Sequence, residues 1–373
     1  MGLSRRFLNL IVESNEAATR SLRRIDLKRL QLFYPTPPPP SPAPIRRPTT
    51  TMERIRLPGP ILNIKAHSLR GAGDPCDLAC YPFGQRKVLS TDQAGRNFLY
   101  DANTCDVAAM PEFHKPKLRH CLSLFVPSGD DGEDDREGGG GGSLYLMERD
   151  LREVKRYDIE VGQPSMDFEV LFYGNGRTTS HCKRLPLPPF VLEPIHPNEY
   201  PEIRSYAVVG EAPTPCLDTA SHTWDKVGDW TLPFHGKVEY VPELKLWFGL
   251  SGDAQHLAAA DLSAMGAHSQ PQLAAGHGWE EFLPPEQWAE QELDIDQEDV
   301  QLMNLGSGRF CIARFFINWR ESEDSCLYFA VLTGVEVVPR VFANGEVKLE
   351  MIHHKSMCHH MSPADGAYIE QLF

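Results

Sequence analysis

Apolar and polar residues alternate along much of the chain with the two-residue period of a β-strand. In the stretch Cys216–Leu250, which holds the densest cluster of aromatic residues, Val238 and Tyr240 are flanked by Lys237 and Glu239. This alternation is typical of a half-buried strand, whereas an amphipathic helix repeats every 3.6 residues. The stretch therefore predicts short strands joined by tight turns, in one antiparallel, meandering module.

The same pattern recurs before and after this module. Gly95, for example, lies where a hairpin turn needs a positive φ. A helix over Glu13–Leu32 is the rival interpretation for the first segments, and a short helix is expected near Gln287–Leu293. The other expected strands are 7–13, 21–27, 53–66, 87–92, 97–101, 121–126, 144–147, 167–173, 181–187, 203–210, 256–262, 300–305, 309–318, 326–338 and 346–353.

A weak internal repeat indicates how the strands are grouped. An apolar strand that ends at Asp, then a polar turn and a strand that ends at Pro, occurs at Asp26, Asp101, Asp218 and Asp261. The last two are 43 residues apart, the length of one propeller blade. An Asp side chain can accept hydrogen bonds from the following turn. We predict an all-β fold, a β-propeller of about five to six blades with room for one incomplete blade; a large β-sandwich is the alternative.

The chain length suits a single propeller domain over residues 1–373. Four segments do not fit the strand pattern. We expect a Pro-rich loop or linker at 34–51, a disordered acidic and glycine-rich loop at 128–143, an acidic loop insertion at 264–299 and a loose tail at 356–373. For the Pro-rich segment, docking into an aromatic-lined groove is the alternative.

The net charge of −14 is concentrated in two acidic runs, residues 130–137 and 280–299. A phosphate-binding surface needs a basic face, so we expect no nucleic-acid partner. No run of about 18 apolar residues occurs, and we expect no membrane span. The nine scattered cysteines suit reduced thiols. We therefore expect a soluble monomer in the cytoplasm or nucleus; the basic first 60 residues leave an organellar location as the alternative.

The richest group of potential ligands is the segment 353–360, where His354 and Cys358 would share one face of a helix. No matching pair occurs elsewhere in the sequence, so we expect no metal site and no cofactor. The sequence has no nucleophile elbow, Walker loop or HExxH motif. Turn and capping roles account for carboxylates such as Asp218 and Asp229. We therefore assign no catalytic residue and expect a non-enzymatic protein.

Three tryptophans are the best candidates for a partner surface. Most aromatic residues of the central module are expected to pack inside blades. Trp279, Trp288 and Trp319, by contrast, lie in or beside polar stretches of the sequence. Exposed tryptophans are frequent anchors of protein–protein interfaces. We predict that these three residues bind an unknown protein partner.

Several segments of the sequence resemble domain-of-unknown-function family 1618, a plant family that is expanded in grasses. They are FLNLIVE, IDL followed by LFYPT, LDTASHTWDKVGDWTLPFHGKVEYVPELKLWFGL, HLAAADLSAM, LGSGRFCIARFF, VLTGVEVVPR and KLEMIHHKS. The resemblance covers nearly the whole chain. It implies a kelch-like propeller related to those of plant F-box proteins, and it implies no catalytic residues. Two departures are a shortened segment between Val209 and Cys216 and the lack of an F-box-like helical segment before the sheet.

These observations favour a non-enzymatic propeller that binds another protein through its loop face. The first alternative is a small-molecule binder or enzyme that uses the propeller channel. A polar, convergent pocket at the axis with perturbed titratable groups would favour it. The second alternative is a degenerate family member without specific function.

Overall fold

The computed structural model describes residues 5–14, 19–35, 52–66, 77–117, 121–128, 141–149, 168–174, 179–192, 203–208, 216–225, 230–253, 255–262, 270–274, 279–280, 294–320, 325–341, 345, 347–360 and 367–373. Almost all regular structure in these residues is β-strand. Five sheets stand around a common axis as the blades of a five-bladed β-propeller. The β-sandwich alternative is therefore wrong, and the propeller prediction is confirmed.

The strands are numbered in chain order, and two short helical turns interrupt them, α1 (Leu27–Leu30) and a 3₁₀ turn (Pro189–Leu192). The strands are β1 Phe7–Ser14, β2 Thr19–Asp26, β3 Glu53–Arg54, β4 Leu62–Lys65, β5 Leu78–Phe83, β6 Lys87–Asp92, β7 Asn97–Asp101, β8 Val107–Met110, β9 Cys121–Pro127, β10 Gly142–Glu148, β11 Phe168–Tyr173, β12 His181–Arg184, β13 Ser205–Ala207, β14 Cys216–Leu217, β15 Trp224–Asp225, β16 Phe234–Val241, β17 Leu246–Ser251, β18 Leu257–Ala260, β19 Asp294–Gly306, β20 Arg309–Arg320, β21 Ser325–Val341, β22 Val347–His360 and β23 Ala367–Leu372.

Both ends of the chain meet in blade 1, whose strand order is β23–β1–β2–β4. The last strand, β23, pairs with β1 in antiparallel register from Leu10↔Leu372 to Ser14↔Ala367. It becomes the inner strand of the first blade. This pairing closes the ring, so that the blade formed first in sequence is completed by the residues that come last.

Blades 2 and 3 are regular antiparallel meanders, β5–β6–β7–β8 and β9–β10–β11–β12. Two turns of blade 2 are held by aspartate side chains, and Asp101 is one of the predicted positions. Asp101 Oδ1 accepts from the N–H of Asn103 at 2.9 Å, and Asp92 Oδ1 accepts from the N–H of Ala94 at 2.9 Å. Gly95 has the predicted positive φ, 78°. Local turn chemistry therefore sets these hairpins, as the sequence indicates.

Blade 4 is the irregular one. Strands β16, β17 and β18 form an antiparallel meander, and β18 has isolated bridges to Leu273 and Trp279. The short strand β13 pairs in parallel with β16, with Ser205 opposite Gly236 and Ala207 opposite Val238. The β14–β15 hairpin packs instead on the outer part of blade 3. Strand β13 thus extends the sheet of blade 4 beyond β16, toward the axis.

Blade 5 has the longest strands, β19–β20–β21–β22, and β3 extends it as a fifth, outer strand parallel to β22. The chain reaches β3 from blade 1 and then returns to blade 1 as β4. Residues 27–35 and 52–61, which we call the strap, therefore tie blade 5 to blade 1 a second time. Gly334 allows the close contact, because a Cβ there would lie 2.8 Å from the carbonyl oxygen of Leu32.

A buried histidine holds the strap against blade 5. His354 on β22 accepts a hydrogen bond from the N–H of Tyr34 through Nδ1 at 3.2 Å. Its Nε2 contacts Glu336 Oε2 at 3.1 Å, and Arg309 Nε contacts the other oxygen of Glu336 at 3.1 Å. Since Nδ1 acts as an acceptor, His354 is neutral and carries its proton on Nε2. Burial lowers the pKa of His354, although Glu336 opposes that shift.

The hydrophobic core lies mainly between neighbouring blades, as expected for sheets that cannot bury both faces alone. One cluster joins blades 1, 2 and 5, a second joins blades 2 and 3, and a third joins blades 4 and 5. No helix in the described parts of the chain has the length and apolar character needed to cross a membrane.

Several local predictions need correction. The segment 356–373 is not a loose tail, because residues 356–360 end β22 and residues 367–372 form β23. The rival helix over 13–32 is wrong, since β1 and β2 form a hairpin and α1 is only four residues long. Residues 294–299 are strand and not loop, and residues 142–143 belong to β10. The rest of the predicted loops, mainly 36–51, 129–140 and 281–293, lies outside the described residues, as does the expected helix at 287–293.

Candidate functional site

The propeller encloses a cavity of about 690 Å³ at its axis. We call it the axial cavity. Side chains from all five blades line it, chiefly those of the inner strands β23, β5, β9, β16 and β19. Rotation about the axis relates one blade to the next, so these inner strands run in the same direction. Residues near the beginnings of the inner strands therefore form one end of the cavity, which we call its mouth.

Two glutamates in the wall of the axial cavity share one buried arginine. Arg20, on β2 directly behind the wall, is only 1 % exposed. Its Nη2 lies 2.9 Å from Glu13 Oε2, and its Nε lies 2.5 Å from Glu370 Oε2. The hydroxyl of Tyr368 donates a hydrogen bond to Glu13. A buried guanidinium requires such paired carboxylates, so this network fixes both acids in position.

A glutamine joins this network to blade 5. Gln301 on β19 accepts a hydrogen bond from the N–H of Leu372 at 2.9 Å, and its amide group donates to the carbonyl of Glu370 at 3.4 Å. Nearby, the rings of Tyr328 and Tyr368 are stacked, with centroids 4.3 Å apart and an angle of 15° between planes. The wall therefore offers a flat aromatic pair beside charged oxygen atoms.

On the opposite side, blade 4 contributes polar groups to the cavity wall. Lys237 Nζ lies 2.5 Å from Glu239 Oε1. Burial raises the pKa of Tyr206, the central residue of β13, although Arg149 opposes the shift. Burial also lowers the pKa of Arg5, while Glu239 raises it. The extra strand β13 thus places a neutral hydroxyl group in the wall, close to charged side chains.

Blades 2 and 3 meet in the wall of the axial cavity through Tyr81 and Cys121. Burial raises the pKa of Tyr81 well above its usual value, and Cys121 adds to that shift. Burial and the charge of Glu148 raise the pKa of Cys121 to about 11. Both groups are neutral near pH 7 and act as hydrogen-bonding groups instead of charges. Taken together, the cavity wall combines fixed charges, neutral hydroxyl groups and aromatic faces.

The structure does not bring the three predicted tryptophans together at this cavity. Trp279 is half-buried and packs on the core between blades 4 and 5, and its backbone N–H donates to Leu257 at 2.7 Å. Trp319 lies on β20 opposite Cys326, and its side chain is outside the described residues. Trp288 is also outside them. Their role in partner binding stays a prediction.

The histidine-rich segment has a different conformation from the helix considered above. Residues 353–360 lie within the strand β22. His354 is engaged by Tyr34 and Glu336, and Cys358 packs in the core of blade 5. These two side chains therefore have structural contacts of their own.

Sequence reasoning missed the residues that define the axial cavity. Glu13, Arg20 and Glu370 come from opposite ends of the chain and meet only because β23 pairs with β1. No spacing motif could have connected them. The one available signal was general, namely that a propeller channel collects side chains from every inner strand.

These features define a class, a five-bladed β-propeller with a polar cavity on its axis. Residues 5–359 match the family described as "Protein of unknown function (DUF1668)", and the chain belongs to this family. The predicted resemblance to family 1618 is not confirmed. The kelch-like relationship and the plant origin stay predictions.

Other comparisons add little. A search of curated proteins finds no match. Among solved structures, the dihydro-heme d1 dehydrogenase NirN in complex with DHE is 11 % identical, with 97 % of this chain and 76 % of that chain covered. The TM-score is 0.21, which is too low for an argument about this chain.

Proposed function

We propose that the protein binds a small polar molecule in its axial cavity. One observation carries this proposal: a cavity of about 690 Å³ in which charged, hydroxyl and aromatic groups converge from all five blades. The volume lies within the range of about 300–1,000 Å³ that is common for small-molecule sites. Such a pocket is the feature that favours the channel-binding alternative over a purely structural channel.

The wall chemistry favours a ligand that carries hydroxyl groups and one flat or apolar face. Glu13 and Glu370 present carboxylate oxygens that accept hydrogen bonds, and Tyr206 presents a hydroxyl group. The stacked pair Tyr328–Tyr368 offers an apolar surface beside them. Both carboxylates are already held by Arg20, which suits a fixed recognition role. Neutral polyols fit this combination of groups.

The proposal is tested by a thermal-shift screen of the full chain against neutral polyols, in wild type and in Ser123→Phe. Ser123 lines the cavity, so a phenyl ring there fills the space that a ligand needs. Thr219→Phe, at an exposed turn, is the matched control. We expect a ligand-induced rise in Tm in wild type and in the control but not in Ser123→Phe. An equal rise in all three proteins would contradict binding in the cavity.

A second candidate function is protein binding, as expected from the sequence. The observation that favours it is an apolar tip on blade 5. Val341 and Val347 pair across the end of the β21–β22 hairpin and are 75 % and 60 % exposed. Exposed apolar pairs of this kind occur at partner surfaces. The test is affinity purification with Val341→Lys and Trp279→Ala; a partner that both variants retain would count against this function.

A further inference from the structure

Three potential metal ligands meet at the outer side of the junction between blades 2 and 3. They are His114, Glu169 and Cys182, which we call the junction triad, and their ligand atoms all lie within 4.8 Å of one another. His114 Nδ1 is 2.7 Å from Glu169 Oε2. The thiol of Cys182 donates to the same oxygen at 3.3 Å. A nitrogen, an oxygen and a sulfur atom therefore already lie close together in one cluster.

The fold brings these residues together from three separate places. His114 belongs to the connection between β8 and β9, whereas Glu169 and Cys182 lie on the adjacent strands β11 and β12. Register places Cys182 opposite Leu171, which is two residues from Glu169, so both side chains share one face of blade 3. That face packs against blade 2. No local sequence motif connects the three residues.

The second carboxylate oxygen of Glu169 is held separately. Oε1 lies 3.3 Å from Lys117 Nζ and accepts from the N–H of Lys115 at 3.2 Å. Glu169 is fully buried, and these contacts fix the orientation of its carboxylate. Outer contacts of this kind are typical of carboxylates that bind metals.

We propose that the junction triad binds one Zn²⁺ ion through His114 Nδ1, Glu169 Oε2 and Cys182 Sγ. Imidazole, carboxylate and thiolate are all zinc ligands, and open zinc sites have three protein ligands with water in the fourth position. The thiolate disfavours Mg²⁺ and Ca²⁺, which prefer oxygen ligands. His114 is 42 % exposed, which leaves solvent access for the ion and its water.

When the ion binds, the thiol proton of Cys182 leaves to solvent. The proton that His114 Nδ1 donates to Glu169 Oε2 also leaves that nitrogen, while Nε2 carries the single ring proton, and Nδ1 is then free for the metal. Tetrahedral zinc with ligand bonds of about 2.0–2.3 Å separates neighbouring ligand atoms by roughly 3.3–3.6 Å. The His114–Glu169 contact of 2.7 Å must therefore widen. The exposed position of His114 in a connection between strands allows this movement.

Lys117 weakens the site without abolishing it. Its ammonium group is fully buried beside Glu169 and repels a cation. The carboxylate and the thiolate together supply two negative charges, which neutralise the ion itself. We therefore expect an affinity below that of closed structural zinc sites with four protein ligands.

Titration of the metal-free full chain with Co²⁺ tests the proposal. Cobalt takes the same geometry as zinc, and a bound thiolate produces a thiolate-to-cobalt charge-transfer band. We expect this band in wild type, its loss when Zn²⁺ is added, and its absence in Cys182→Ser. Serine retains a hydrogen-bond donor to Glu169, so this variant keeps the fold, which circular dichroism verifies. Cys105→Ser, at an exposed thiol, is the matched control and should keep the band.

The affinity for Zn²⁺ gives a second readout. In His114→Ala we expect the affinity for Zn²⁺ to fall by at least roughly 10–100-fold. That is the loss seen when a residue that only hydrogen-bonds a metal ligand is removed, and His114 would bind the metal directly. A wild-type protein without the band, or a Cys182→Ser variant with an unchanged band, would overturn the proposal. Equal loss of the band in Cys105→Ser would also overturn it, because the metal would then be bound elsewhere.

Discussion

The N–H of Asn9 donates to the carbonyl of Phe373 at 2.9 Å, and the N–H of Phe373 donates back to the carbonyl of Asn9 at 3.0 Å. This exchange joins the second strand of blade 1 to the end of its inner strand. Side chains of β23 then pack into the cluster shared by blades 1, 2 and 5. The ring of blades is closed by this strand, and by the strap on the outside of blade 5.

The first prediction concerns this closure. Ile369 is buried in β23, and Ile369→Ala should lower the free energy of unfolding by about 2–4 kcal/mol, through lost burial and a cavity. Val341→Ala removes a similar group from an exposed hairpin end and should change it by less than about 0.5 kcal/mol. Urea unfolding measures both values. Equal effects of the two substitutions would show that β23 adds little to stability.

The second prediction concerns the buried arginine of the cavity wall. Arg20→Leu leaves Glu13 and Glu370 without their shared cation and should cost about 3 kcal/mol of stability, the lower end for breaking a buried ion pair. The control is Arg96→Leu, which removes the more exposed pair of Arg96 with Asp92. It should cost less than about 1 kcal/mol. A cost for Arg20→Leu no larger than that of the control contradicts the network described here.

The third prediction concerns pH. The pKa of His354 is lowered in the folded protein, because burial disfavours its charged form more than Glu336 favours it. The unfolded chain therefore binds more protons just below the ordinary histidine pKa of about 6.5. The stability that the neutral ring contributes is therefore present above that pH. It is lost as the pH falls from the histidine pKa of the unfolded chain to the lower pKa of His354 in the folded protein. The charge of Arg309, which contacts Glu336, lowers the pKa of His354 further.

Equilibrium unfolding at pH 7.5 and pH 5.5 measures this effect. Wild type should lose more stability on acidification than His354→Gln, in which no ring can be protonated. His256→Gln serves as the control and should retain the wild-type difference. If acidification destabilised His354→Gln as much as wild type, the neutral His354 contact with the strap would not be the cause.

Local parts of the fold were predictable because their causes are local. The hairpin around Gly95 and the turn at Asp101 follow from residues within four positions of each other. Strand alternation located most of the blades for the same reason. The spacing of 43 residues between Asp218 and Asp261 indicated a propeller because blades repeat at about that length, although Asp218 lies in the β14–β15 hairpin, outside the five blades.

Features that depend on distant pairing were not predictable. The sequence predicts a loose tail because nothing near β23 in the chain pairs with it. Its partner, β1, lies at the other end of the chain. The same holds for Arg20 with Glu370 and for Cys182 with His114. A single sequence carries no signal for such contacts. Trp279 illustrates the converse, because a tryptophan in a polar stretch packs partly against the core between two blades.

The central claim, a ligand site in the axial cavity, is tested most directly by isothermal titration calorimetry with the best ligand from the screen. Tyr368→Phe removes only the hydroxyl group that donates to Glu13 at the mouth of the cavity. Tyr240→Phe, on an exposed ring outside the cavity, is the matched control. We predict about 10-fold weaker binding for Tyr368→Phe, the effect of disturbing one charged hydrogen bond, and unchanged binding for the control. Equal affinity in all three proteins would contradict the assignment of the axial cavity as the binding site.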